Sequence, residues 1–254
     1  MLFMSSLVFV SCSDDDKSDD SAQGGNKVTN KTYTVKGVQF TMVGVQGGTF
    51  QMGSNNGESN EKPVHSVTLS DYYIGQTEVT QALWTAVMGY NNSEDIGDNF
   101  PIEWLDWYEC QEFITKLNAL TGEKFRLPTE AEWEFAARGG NKSKGYTYSG
   151  SNNADDVAWY VGTTSSLELH AVGTKKPNEL GIYDMSGNVW EWCQDWYGSY
   201  SSSAQTNPTG PASGDFRVLR GGGVTNTEED LRTTNRYYDD PSQDYYLRGF
   251  RLAK

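Results

Sequence analysis

The sequence predicts a single α+β domain with little regular secondary structure and many ordered loops. Short runs of alternating apolar residues occupy the first part of the domain, and three stretches with helical apolar stripes follow them. After Gly140 the periodicity fades, and Gly, Ser, Asn, Asp and aromatic residues dominate. At 254 residues, with 8 Trp and 15 Tyr, the chain can fill one sizeable core.

Strands are predicted first along the domain. The segment VQFTMVGVQGGTFQMGS alternates apolar residues and contains Gly47-Gly48, which predicts a β-hairpin turning at this pair. The segment HSVTLSDYYIGQ predicts another strand and its continuation.

Two helices are predicted next. The spacing of the first places four apolar side chains on one face: Val79, Leu83, Trp84 and Val87. The second begins at Asp106, whose side chain caps the helix while Glu109 reaches back, and it ends at Gly122. Its apolar stripe consists of Trp107, Cys110, Phe113, Ile114 and Leu117.

A third helix is predicted within RLPTEAEWEFAARGG. Thr129 and Glu132 form a capping box, Pro128 prevents extension backwards, and Gly139 stops the helix. Glu130 and Glu132 have the composition of a catalytic carboxylate pair. Because acids in a first turn stabilise a helix N-terminus, we interpret both as structural.

The first twelve residues resemble the end of a bacterial lipoprotein signal peptide. LFMSSLVFVSC is apolar, too short to span a bilayer as a helix, and places Ser11 before Cys12, the residue that would be lipidated. The segment lacks a basic region, and Phe9 stands where an aliphatic residue is usual. The alternative is an apolar start without a targeting role.

An acidic segment, SDDDKSDDSAQGGNKVTNK, follows and predicts an extended tether. Similar runs follow the lipidated cysteine in surface-exported lipoproteins of Bacteroidetes-type bacteria. The predicted organisation is a signal segment at 1–12, a tether at 13–30 and the domain at 31–254. The expected location is the bacterial outer membrane or cell surface, with a lipid anchor.

Charge and cysteine content limit the partners. A net charge of −14 argues against nucleic acid, since phosphate binding needs basic patches. Besides Cys12, the chain has Cys110 on an apolar helical face and Cys193 after a Trp-rich run. We favour two buried thiols over a disulfide between them.

Six motifs occur in the same order as in the formylglycine-generating enzyme family, also called sulfatase-modifying factors. From about Gly37 onward the chain resembles that family throughout. The resemblance implies a C-type-lectin-like fold variant, with a small mixed sheet, a few helices and many ordered loops. The motifs are TFQMGS, TEVTQALW, RLPTEAEWEFAARGG, GIYDMSGNVWEWCQDW, RVLRGGG and GFRL.

Enzymes of that family oxidise a substrate cysteine with copper held by two cysteines, whose soft thiolates select Cu(I). The matching positions here fall near Asn226 and Leu231, and no cysteine occurs after Cys193. Gly223 replaces the serine that usually follows the RGG motif. The resemblance therefore implies the scaffold without its copper site, so copper is not expected and an enzymatic role is disfavoured.

The resemblance also implies a structural calcium ion within GIYDMSGNVWEW. Asp184 and Glu191 would supply carboxylate oxygens, and Gly187 and Val189 would supply backbone carbonyls, a donor set that suits a hard cation. The alternative is that Asp184 caps a turn and Glu191 pairs with an arginine.

The tail from Thr225 onward is rich in residue types that form adaptable recognition surfaces. Its aromatic residues are expected to line a groove that stacks on sugars or grips an extended peptide, unless the tyrosines are simply core. A narrower alternative is one of the diversified tails that some lectin-like lipoproteins of this family carry. The predicted ligand-binding residues are Asn226, Arg236, Tyr237, Tyr238, Asp240, Tyr245 and Tyr246.

The sequence therefore predicts a cell-envelope lipoprotein whose domain binds a glycan or peptide or forms a structural part of an envelope assembly. The competing interpretation is an enzyme on the same fold, either a sulfatase-modifying enzyme or another oxidoreductase.

Overall fold

The computed structural model describes residues 28–164 and 168–254. The predicted signal segment, Cys12 and the tether as far as residue 27 lie outside the described residues. Within the described residues, no helix combines the length and apolarity needed to cross a membrane.

Short strands and helices are separated by long loops, as the predicted α+β class requires. The described strands are β1 (Lys31–Val35), β2 (Val38–Val45), β3 (Gly48–Met52), β4 (His65–Leu69), β5 (Tyr72–Gly75), β6 (Trp190–Trp196), β7 (Gln205–Thr206), β8 (Arg217–Arg220), β9 (Tyr237–Asp239) and β10 (Arg248–Gly249). The helices are α1 (Gln81–Met88), α2 (Trp107–Thr121), α3 (Glu130–Ala137) and α4 (Ala154–Val157).

The described strands form three small sheets, with the orders β1-β2-β5, β3-β4-β7 and β10-β6-β8-β9. The pairs β4–β7 and β6–β10 are parallel, and the other pairs are antiparallel. Strand β9 is therefore an edge strand of the third sheet.

The predicted hairpin at Gly47-Gly48 is wrong, because β2 and β3 belong to different sheets. A Cβ on Gly47 would lie 2.3 Å from the carbonyl oxygen of Leu69, so the glycine permits a close crossing between sheets. The hairpin instead joins β1 to β2 through Lys36 and Gly37, whose φ angles of 47° and 88° suit a tight two-residue turn.

The three predicted helices are confirmed, together with the predicted caps of α2 and α3, although Val79 lies just before α1 and not within it. Thr80 caps α1, and the capping boxes predicted for α2 and α3 are both present. Gly122 ends α2 in the left-handed conformation, while α3 ends with Arg138 as its C-cap and Gly139 just beyond. The stripe residues predicted for α2 are all buried.

Aromatic residues hold the core between the helices and the sheets. Trp84 of α1 stacks on Phe113 of α2 with ring centroids 5.2 Å apart, and Phe250 packs edge-on against both rings. A second core surrounds Trp133 and Phe135 of α3. These two cores fix α3 and β6, which carry five of the buried acids among the described residues: Glu130, Glu132, Glu134, Glu191 and Asp195.

Residues 252–254 connect the two ends of the described domain. Lys254 and Tyr73 exchange backbone hydrogen bonds of 2.9 and 3.0 Å, and the amide of Gly75 donates to the carbonyl of Leu252 at 2.7 Å. Ala253 exchanges backbone bonds with Arg126. Strand β5 is thus paired by β2 on one side and by this segment on the other.

Candidate functional site

A network of buried arginines and glutamates links the RVLRGGG motif to α3. Arg220, at the end of β8, is fully buried, pairs with Glu134 and donates to the carbonyl of Asn235. Its Nε lies 3.4 Å from Glu130 Oε1, and its guanidinium faces the ring of Trp133. The arginine therefore locks the tail onto α3.

Arg236, predicted to bind ligand at the surface, belongs to the same network and is 4 % exposed. Its Nε and Nη2 lie 2.5 and 2.8 Å from the carboxylate of Glu130, and its guanidinium stacks on Tyr200 at 3.8 Å. Burial alone would raise the pKa of Glu130, but Arg236 and Arg220 offset this and hold it below its ordinary value.

The structural interpretation of the two α3 acids is confirmed for one and incomplete for the other. Glu132 accepts from the amide of Thr129 at 2.9 Å, as its capping role requires, and also forms a bidentate pair with Arg126. Glu130 is buried and pairs with both Arg236 and Arg220. Its first-turn position alone therefore does not account for it.

The Asp184–Glu191 segment, predicted to hold calcium, contains the two features of the alternative. Glu191 is fully buried and pairs with Arg251 at 2.5 and 2.6 Å, and it accepts from Trp133 Nε1 at 2.7 Å. Asp184, with φ of 57°, accepts from the amide of Gly173 at 2.6 Å. Both predicted carboxylates thus have protein partners.

A third buried acid, Glu78, lies beside this segment and was missed by the sequence reasoning. One of its oxygens accepts from Asn188 at 3.2 Å, and the other has no partner among the described residues. Burial raises the pKa of Asp184 to about 6, and burial together with Asp184 raises that of Glu78 well above its ordinary value. The sequence feature that could have indicated its burial is its position just before α1, next to the buried Val79.

Three buried carboxylates therefore face one arginine, Arg251, and this imbalance is what a bound cation would correct. Because Glu191 is already paired with Arg251, a calcium ion would take Asp184 with Glu78 in place of Glu191, and it would also need the backbone carbonyls of Gly187 and Val189. Among the described residues, no group of three or more His, Cys, Asp or Glu side chains is arranged to hold a metal. Calcium therefore stays a prediction, one that depends on those carbonyls.

The positions that match the copper ligands are occupied by structural side chains. Asn226 accepts from the amide of Gly223 at 3.0 Å and donates to Asp230 at 2.9 Å, which closes the turn after the glycines. Leu231 is fully buried in an apolar cluster. The two thiols elsewhere, Cys110 and Cys193, are buried and free as expected, and burial raises the pKa of each well above its ordinary value.

Exposed aromatic rings follow the edge of the third sheet. On β9, Tyr237 is 48 % and Tyr238 is 39 % exposed, and their ring centroids lie 5.9 Å apart. Phe216 lies 5.1 Å from Tyr238, and Trp190 lies 5.2 Å from Tyr237. Tyr245, 60 % exposed, covers the guanidinium of Arg248 at 4.7 Å. We call these five aromatic residues the aromatic edge: Trp190, Phe216, Tyr237, Tyr238 and Tyr245.

The other predicted ligand-binding residues have different roles. Asp240 accepts from the amide and hydroxyl of Ser242 and so stabilises a turn. Tyr246 is half-buried and packs near Trp104, with ring centroids 6.3 Å apart. Three of the seven predicted residues, Tyr237, Tyr238 and Tyr245, are thus exposed, and Arg248 contacts both Tyr245 and Asp239 of β9.

Residues 29–254 match the sulfatase-modifying factor enzyme 1-like domain family. The chain belongs to this family. The chaperone protein LppX of Paenibacillus barcinonensis is 36 % identical over 235 residues, 73 % of this chain and 79 % of LppX. The formylglycine-generating enzyme of Streptomyces coelicolor is 29 % identical over 71 % of this chain and 77 % of the enzyme. The serine/threonine-protein kinase pkn1 of Chlamydia pneumoniae is 33 % identical over 84 % of this chain, but the match spans only 38 % of the kinase.

The solved structure of Treponema denticola variable protein 1 matches with a TM-score of 0.82 and 36 % identity, over 88 % of this chain and 98 % of that one. The predicted C-type-lectin-like variant of the family fold is thereby confirmed.

Proposed function

We propose that this chain is a binding domain of the bacterial cell envelope and that the aromatic edge is its recognition surface. The observation that carries the proposal is the group of exposed rings formed by Phe216, Tyr237 and Tyr238 at the edge strand β9, with the exposed Tyr245 on the segment before β10. Large aromatic side chains with few rotatable bonds are the residues that most often anchor a bound partner. In the described residues β9 has a strand partner, β8, on one side only.

An extended peptide is the ligand class that this geometry favours. A peptide can add a strand beside β9 through main-chain hydrogen bonds, while its alternate side chains rest on the rings. A glycan could use the rings alone, through stacking. The name of the 36 % identical relative LppX, a chaperone, agrees with polypeptide binding, and the Treponema denticola variable protein agrees with a recognition role.

Replacing Tyr237, Tyr238 or Tyr245 singly with alanine is expected to weaken ligand binding without unfolding the domain. These rings are 39–60 % exposed, so their truncation removes less buried area than truncation of a core tyrosine does. At an interface hot spot the loss is about 2 kcal/mol, or roughly 30-fold in affinity. Peptide and glycan arrays probed with the protein from Lys31 onward would first supply a ligand, and titration with melting curves would follow.

Two matched variants control this experiment. Tyr90 is 39 % exposed and lies beyond α1, outside the aromatic edge. The Tyr90→Ala variant should therefore bind the ligand as the wild type does. Tyr33 is 3 % exposed, so Tyr33→Ala should lower the free energy of unfolding by about 3 kcal/mol or more. If the edge variants melt as low as Tyr33→Ala, the rings are structural. A glycan hit that needs the same rings would retain the surface and reject the peptide.

We expect the purified domain to bind no stoichiometric Cu(I) and to leave a CxPxR-type sulfatase peptide unoxidised. Asn226 and Leu231 offer no thiolate, and the two described thiols are buried. Copper analysis and mass spectrometry of the peptide provide the measurements. Formylglycine above a control without protein would instead support the enzyme interpretation.

The envelope location rests on the resemblance of residues 1–12 to a lipoprotein signal. We expect Cys12 to incorporate labelled palmitate in a bacterial host with lipoprotein processing, and Cys12→Ser to lose both the label and the membrane fractionation. Unchanged fractionation of the variant, with no label on the wild type, would reject the anchor.

A further inference from the structure

A cavity lies at the opposite end of β6 from Trp190, away from the aromatic edge. It has a volume of 470 Å³, which falls in the range of pockets that hold small ligands. The loop from Gly198 to Pro211 forms one wall, and the start of α3 forms another. None of the residues in the aromatic edge lines it.

The base of this cavity carries an unusual acid, Asp195. The side chain is 4 % exposed, and within the described residues its only hydrogen bond comes from the amide of Glu130, 3.0 Å from Oδ2. The other oxygen, Oδ1, lies close to Gly210, where a Cβ would come within 3.1 Å of it. The glycine therefore leaves the space above Asp195 open.

Within the described residues Asp195 forms no salt bridge. Arg236 also lines the cavity, but it pairs with Glu130, and Arg220 and Arg138 both pair with Glu134. Burial, followed by the charge of Glu130, raises the pKa of Asp195 to about 8. The charged groups that act on Asp195 from the surrounding elements are Glu130, Glu132, Arg126, Arg217 and Arg236, and His65 lies across the cavity.

The rest of the lining provides an apolar wall and a polar rim. Met52, Ala131, Trp196, Pro208 and Pro211 contribute the apolar surface, whereas the rim is rich in hydroxyl groups from serine and threonine. An alkyl chain that ends in a positive charge matches this arrangement, since the chain can cover the wall while the charge reaches the acid.

We propose that this cavity binds a primary ammonium group on an alkyl chain, with the ammonium at the Asp195 carboxylate and the chain along Trp196 and the two prolines. Either a free amine or a lysine side chain of a polypeptide presents this chemistry. The site is separate from the aromatic edge, so it stands or falls independently of the proposed function.

Calorimetric titration with four probes tests the proposal. Cadaverine represents the free amine, and N-acetyl-lysine amide represents the side chain. 1,5-Pentanediol and N-acetyl-norleucine amide are their uncharged counterparts. Binding of either amine, at least tenfold tighter than its uncharged counterpart, is expected. Which amine binds identifies the source, whereas failure of both amines, or equal binding of the uncharged probes, would overturn the proposal.

Proton linkage gives a second and more specific readout. Because the ammonium requires the ionised carboxylate, affinity should rise about tenfold per pH unit between pH 6 and 7.5, with release of about one proton. Asp195→Asn keeps the acceptor for the Glu130 amide and should abolish this slope. His65→Gln should preserve it, which separates Asp195 from the histidine in the same cavity.

Asp215→Asn, a change of an exposed acid that does not line the cavity, is the matched control and should bind as the wild type does. Melting curves of every variant establish that the fold is intact. An Asp195→Asn protein that is folded and still binds amines with the wild-type pH slope would exclude the site.

Discussion

Replacing Arg220 with methionine is expected to lower the free energy of unfolding by about 3–5 kcal/mol, the cost of removing one partner from a buried charge network. The substitution leaves Glu134 fully buried without this guanidinium, and the carbonyl of Asn235 loses its donor. Arg138 still pairs with one oxygen of Glu134 and Arg236 with Glu130, but the other oxygen of Glu134 loses its partner. Urea denaturation of both proteins provides the measurement.

Lys116→Met on α2 is the matched control for this variant. Lys116 pairs with Glu112 at 2.8 Å, but both side chains are about half exposed. Exposed pairs of this kind contribute about 0–1 kcal/mol, so the control should denature almost as the wild type does. Equal losses in the two variants would mean that the network around Arg220 adds nothing beyond an ordinary surface pair.

Calcium is expected to raise the melting temperature of the domain, and chelation to lower it. An ion that binds only the folded state contributes about 2.7 kcal/mol when its free concentration is a hundredfold above its dissociation constant. For a domain of this size the shift is about 5–10 °C. The physical reason is the surplus of buried negative charge at Glu78, Asp184 and Glu191 over Arg251.

Asp184→Asn combined with Glu78→Gln should remove most of the calcium dependence. Asp215→Asn, at an exposed acid, should retain all of it and thereby controls for general charge effects. Magnesium in place of calcium tests whether the response is specific. Identical melting curves with and without chelator would show that the buried acids are stabilised by shared protons and Arg251 alone.

The sequence was most informative where the determining contacts are local. The capping boxes at Asp106 and Thr129 lie within four residues, so α2 and α3 could be located from spacing alone. The partner of a strand is not local in this sense. Gly47 and Gly48 have the composition of a turn, but a pairing of β3 with β4 overrides it.

Arg236 and Glu78 show the same limit within the candidate sites. Arg236 occurs in a polar tail and resembles a surface residue, yet its partner Glu130 lies 106 positions away in the sequence. Glu78 lies 110 positions from Asn188, which binds it. Spacing rules relate residues only a few positions apart, so they cannot distinguish a buried charge with a distant partner from an exposed charge. The tyrosines of the aromatic edge were identifiable because composition alone suggested a recognition surface.

The pairing of β5 with residues 252–254 has a consequence for the order of folding. Ribosomes make this strand long before the segment that completes it, and closing so large a loop costs entropy before any bond forms. A nascent chain that has reached only α3 holds β5 with one of its two neighbours. The N-terminal sheet is therefore finished late, after the last of the described residues has been synthesised.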